Sequence, residues 1–112
     1  MDAATKPRTL SQQIEHHSAK EAAHSNFKAA KAKSNDSLNI YRNARALEDA
    51  AQLAYDEILA NPAKYPYAGI QAQKAERLAS EASEAADEAL RELRRTSEVA
   101  FAADGVLAGL NG

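Results

Sequence analysis

Proline and glycine fall at one internal corner of this chain, Asn61-Pro62-Ala63-Lys64-Tyr65-Pro66-Tyr67-Ala68-Gly69, and otherwise only near its ends. On either side lie two long stretches free of both residues. Roughly a quarter of all residues are alanine, the strongest helix former. Few side chains favour strands, because aromatic residues make up only 5% of the chain. An all-α fold is expected, either an antiparallel helical hairpin or a three-helix bundle, and its many alanines point to an oligomer.

The elements can be bounded from local signals. Residues 1–9 read as a tail. Thr9-Leu10-Ser11-Gln12 has the spacing of a capping box, in which Thr caps the helix and Gln reaches back from its third position. A first helix is expected over about 10–33. Ser34-Asn35-Asp36-Ser37 brings together four side chains that compete for the backbone, so a break or bend is expected there. A second helix should cover 38–60. Asn61-Pro62 ends it, since the residue before proline is driven out of the helical region. Asn61 could then cap one short turn through Tyr65 with Pro62 in its first position. A last helix should run from 70 to 103, stopped by Asp104-Gly105, with 105–112 as a tail. The helical part, 10–104, is one domain.

Packing faces follow from spacing. Ile40, Ala44, Leu47, Ala51, Ala54 and Ile58 are four and three apart and share one side of a helix. Leu78, Ala82, Ala85, Ala89 and Leu93 continue the pattern in the last helix, where Ala75, Ala79, Ala86 and Leu90 widen it. The arc is too wide for one narrow seam, so this helix is expected to touch two neighbours. Alanine contacts are shallow, and ordering the backbone costs about 1–2 kcal/mol per residue. Self-association is the simplest remedy, through those eleven stripe residues.

Function classes are narrowed mainly by exclusion. With no Cys there is no disulfide scaffold, thiolate metal site or thiol nucleophile. No run reaches the roughly 18 apolar residues of a membrane span, and the first residues carry no apolar signal-peptide core. A cytoplasmic location, or a place in a virion or secreted assembly, is expected. No nucleophile elbow, zinc-protease motif or phosphate loop occurs, so an enzyme and a bound cofactor are not expected.

All three histidines lie in the first helix: His16, His17 and His24. His17, Glu21 and His24 share one side, and Glu21-Ala22-Ala23-His24 is the step used by di-iron carboxylate bundles. A symmetric dimer would have to supply the remaining ligands, and neighbouring lysines oppose a cation. Lys20, Lys28 and Lys31 read alternatively as a basic stripe able to meet phosphates or an acidic partner. Residues 1–45 hold eight Lys and Arg against four Asp and Glu, while the remainder carries −6 of the net −2. Such a division suits either antiparallel packing or head-to-tail contact between copies.

The corner residues Asn61, Pro62, Tyr65, Pro66 and Tyr67 either plug the end of a hairpin or present an aromatic patch to a partner. Two resemblances touch this region. Ala51-x-x-x-Tyr55-x-x-Ile58-Leu59-x-x-Pro62 resembles the second helix of a tetratricopeptide repeat, although its proline is one residue early and no repeat of about 34 residues follows. The helix–Asn61-Pro62-Ala63-Lys64-Tyr65-Pro66–helix arrangement resembles the corner of type III secretion needle subunits, which are shorter chains. Taken together, these features point to a non-enzymatic structural or assembly subunit of virion or secretion-apparatus type that works by helix-mediated homo-oligomerisation. The other reading is a small helical adaptor or inhibitor that binds a larger complex, including one that handles nucleic acid.

Overall fold

The computed structural model describes residues 9–111. Two long helices, α1 (Leu10–Ala60) and α2 (Ala68–Asn111), are joined by a 3-10 turn over Pro62–Lys64. No strand occurs among the described residues. The helices lie side by side in opposite directions, giving a slab with extents of 86 × 23 × 14 Å. The radius of gyration is 25.1 Å, about twice the roughly 13 Å of a compact domain of this length.

The start of α1 follows the expected capping box. The Thr9 hydroxyl accepts from the Gln12 backbone N–H at 3.2 Å, and the Gln12 side chain accepts from the Thr9 N–H at 3.0 Å. The remainder of the expected tail, residues 1–8, lies outside the described residues.

The expected break at 34–37 is absent: α1 runs unbroken for 51 residues. Ser, Asn and Asp cost only tenths of a kcal/mol each relative to alanine in a helix, and here packing on α2 outweighs that loss. Ser37 is buried, and the Ser34 hydroxyl lies 3.1 Å from that of Ser97 on α2. The three helices expected over 10–33, 38–60 and 70–103 are therefore two.

The expected stop at Asp104-Gly105 is also overridden. Neither Gly105 nor Gly109 takes a positive φ, and α2 continues through the expected 105–112 tail as far as Asn111. Leu107 and Leu110 are half-buried and extend the packing face, with Leu107 in a groove beside Lys20, Glu21 and His24 of α1.

The buried and half-buried positions keep a strict rhythm. On α1 they include Ala23, Phe27, Ala30, Ser34, Ser37, Tyr41, Ala44, Glu48, Ala51, Tyr55 and Ile58, alternately four and three apart. On α2 the same alternation links Ala68, Ala72, Ala75, Ala79, Ala82, Ala86, Ala89, Leu93, Thr96, Ala100, Ala103, Leu107 and Leu110. Over its first half, α2 presents an unbroken ridge of alanines to its neighbour. Small residues bring the helix axes together but leave little to bury. Buried apolar residues comprise five alanines and Ile58, and no large side chain falls below 2% exposure among the described residues.

Candidate interaction surface

The eleven stripe residues expected to form one packing face are divided by the fold into two sets. Ala44, Ala51, Ile58, Ala82, Ala89 and Leu93 lie in the seam between α1 and α2. Ile40, Leu47, Ala54, Leu78 and Ala85 are exposed, with Ile40 at 60%, Leu47 at 67% and Leu78 at 51%. On α1 the seam takes Tyr41, Glu48 and Tyr55 in place of Ile40, Leu47 and Ala54. The reason lies in the rings. Phe27, Tyr41 and Tyr55 recur every two heptads on one side of the helix, and an aromatic side chain buries about 150–250 Å². Turning that side toward the thin alanine ridge covers more apolar area than turning the Ile40–Leu47 side inward.

Two of the displaced residues, Ile40 and Ala85, lie together. Ile40 lines an open groove of about 570 Å³ with Ala85, Glu88, Ala89, Arg91, Glu92 and Arg95. Farther along, Lys33, Glu92, Thr96 and Val99 line a second groove with Ala30 and Arg95. Both grooves open on one face of the slab. Seven-residue steps add Leu47 and Ala54 to Ile40 on α1, and Leu78, Val99 and Val106 to Ala85 on α2. Val99 and Val106, at 56% and 60% exposure, were not among the expected stripe residues. Their heptad spacing from Leu78 and Ala85, interrupted only by Glu92, was the available signal.

The first helix distributes its candidates differently. His17 Nε2 lies 3.0 Å from Glu21 Oε1, with both side chains well exposed, while His24 lines a shallow groove with Lys20, Glu21, Leu107 and Asn111. Among the described residues, no three His, Cys, Asp or Glu side chains are grouped to hold a metal ion. Lys20 is half-buried on the seam side, whereas Lys28 and Lys31 are exposed. The Lys31 ammonium stands 5.9 Å from the Phe27 ring centroid, within cation–π range. The expected basic stripe is therefore not one uniform open face.

The ion pairs Arg45–Glu48, Arg77–Glu81 and Arg95–Glu92 each lie within one helix, and Lys64–Glu57 ties the corner to α1. Contacts of this exposed kind contribute little, typically below about 1 kcal/mol.

At the corner, Asn61 caps the 3-10 turn through its backbone: its carbonyl accepts from the Lys64 N–H at 3.1 Å, and its side chain makes no capping bond. Pro62 occupies the start of the turn, as its fixed φ favours. The Pro66 carbonyl accepts from the Gln71 side chain at 2.6 Å, and the Tyr67 carbonyl accepts from the Gln71 N–H at 3.0 Å. Tyr55 and Tyr65 are half-buried, but Tyr67 is 81% exposed with a left-handed φ of 57°. Tyr67 does not plug the helix ends.

Among the described residues, no helix is long and apolar enough to cross a membrane. No protein-family model, curated protein or solved structure matches this chain.

Proposed function

We propose that this protein is a non-enzymatic structural subunit that works by helix-mediated homo-oligomerisation, a component of virion or secretion-apparatus type. The observation that carries this reading is its surface. The chain exposes 8542 Å², whereas a compact monomer of 12.0 kDa exposes roughly 6,000 Å². The excess of about 2,500 Å² exceeds the ~800 Å² that each partner contributes to a standard stable interface. A seam of alanines leaves the two-helix unit poor in buried apolar area, and association is the direct way to supply it. The period of 3.5 residues along both helices is that of coiled-coil packing, which favours helix-to-helix contact between copies. An antiparallel hairpin is the repeating unit in this reading, and a bundle of more than two helices arises when units meet.

Light-scattering mass after gel filtration, over a range of concentrations at low and high salt, tests the proposal. A discrete oligomer or growing polymer is expected, and its persistence in high salt would assign assembly to exposed apolar residues such as Ile40, Leu47 and Leu78. Dissociation by salt would assign assembly to the division between basic and acidic segments. A folded monomer at high micromolar concentration would overturn the proposal in favour of an adaptor or inhibitor of another complex.

A further inference from the structure

We propose that two copies of this chain join by exchanging helices: the corner at 61–67 opens as a hinge, and α1 of each copy packs its seam against α2 of the other. This inference rests on the self-association reading above and names the step by which the copies unite.

Three observations support the exchange. The first is topology. Among the described residues the packing of α1 on α2 forms a single seam, and one short corner joins the two helices. A second copy presents an identical α2. Every contact that α1 makes across the seam can therefore be remade between chains, the approach of Ser34 to Ser97 at 3.1 Å among them. Exchange of an identical element is a low-cost route to a symmetric dimer for this reason.

The second is what holds the hairpin shut. The buried apolar residues are five alanines and Ile58, and each alanine inserts only a methyl group between the helices. No large, fully buried side chain among the described residues locks α1 onto its own α2. Both helices are rich in the strongest helix former, so each retains a local preference for helix while the seam is open.

The third is the corner itself. Tyr67, immediately before the first residue of α2, has a left-handed φ of 57° and a ring that is 81% exposed. That backbone is costly for a residue with a Cβ, and an exposed ring returns little by packing. Pro62 and Pro66 drive the residues before them out of the helical region, and Tyr65 is already extended, with φ −117° and ψ 118°. The prolines keep the corner from joining α1 and α2 into one helix. Release of Tyr67 from the left-handed region turns α2 away from its own α1. Short hinges under strain favour exchange, and one exchanged dimer relieves two such corners.

The chain contains no cysteine, so introduced thiols report the pairing directly. A chain carrying both Ser34→Cys and Ser97→Cys, refolded and oxidised at high micromolar concentration, is expected to run as a covalent dimer on a non-reducing gel. Refolded after dilution, it should run as a monomer closed by its own disulfide. Chains carrying only Ser34→Cys or only Ser97→Cys should not cross-link alone, but should do so when refolded together. Tyr67→Gly, which accepts the left-handed backbone, is expected to raise the dissociation constant of the dimer by up to about thirty-fold, because both corners are relieved. If the parent chain associates by light scattering while the doubly substituted chain closes only within itself at the same concentration, exchange is overturned and self-association stands. An unchanged dissociation constant for Tyr67→Gly, with helicity by circular dichroism kept, would overturn corner strain as the cause of exchange. A folded monomeric parent chain overturns both exchange and the self-association reading.

Discussion

Ser34 and Ser97 stand hydroxyl to hydroxyl at 3.1 Å across the two helices, 63 residues apart in sequence. The pair sits where α1 was expected to break. A hydroxyl pair of this kind contributes a net ~0.5–1.5 kcal/mol, and because the pair is exposed a hydroxyl left behind is solvated. Ser34→Ala or Ser97→Ala alone is expected to lower stability by no more than about 1 kcal/mol, and the double variant to cost less than the two singles together. Urea unfolding of the four chains as a double-mutant cycle measures the coupling.

Ala86 is the most buried of the core alanines, at 2% exposure, and lies on the ridge that faces α1. Adding side-chain volume there pushes the helices apart. Ala86→Leu is expected to destabilise by about 1–3 kcal/mol, whereas Ala102→Leu, at an exposed α2 position, should change stability by less than about 0.5 kcal/mol. The difference in denaturant midpoint between the two variants is the measurement. Equal effects would mean that the alanine ridge is not a close-packed contact.

Gly105 and Gly109 lie inside α2 without a positive φ, and a Cβ placed on either meets nothing within 4 Å. Glycine in a helix interior is about 1 kcal/mol less favourable than alanine. Gly105→Ala and Gly109→Ala should each raise stability by roughly that amount, visible as a Tm increase of several degrees for a domain of this size. A fall in Tm would place the glycines in a contact that needs their missing side chain.

Tyr67 combines a left-handed backbone with a side chain that is 81% exposed. The left-handed region costs a non-glycine residue about 1–2 kcal/mol, and an exposed ring returns little by packing. Tyr67→Gly is expected to stabilise the chain by up to about 1 kcal/mol, part of the relief being offset by the greater freedom of glycine when unfolded. Thermal unfolding checks the sign. Loss of stability would show that the ring holds the corner together.

The helical class, the cap at Thr9, the end of α1 before Pro62 and the period of the stripe were legible in the sequence, because each depends on local propensity or on spacing along one helix. Two features were misread for a common reason. Ser34 and Ser37 carry poor helix propensity, and Gly105 is a good stop, but those preferences are worth at most about 1 kcal/mol each. Contacts made by a second helix can outweigh them, and neighbours distant in sequence are not visible in a local window.

The stripe itself had the right period, but alternate positions were one residue out on both helices: Tyr41, Glu48 and Tyr55 replace Ile40, Leu47 and Ala54, and Ala79 and Ala86 replace Leu78 and Ala85. Period follows from the geometry of a single helix, and the sequence by itself determined it. Phase depends on which face gains most against a particular neighbour, and only the pairing of α1 with an alanine ridge decided it. Against that ridge the rings of Tyr41 and Tyr55 bury more than Ile40 and Leu47 would, so the aliphatic residues are left on an open face. The alanine content determined that each contact would be shallow. The tertiary structure decided which apolar residues remain outside it, because one thin helix can cover only one side of its neighbour.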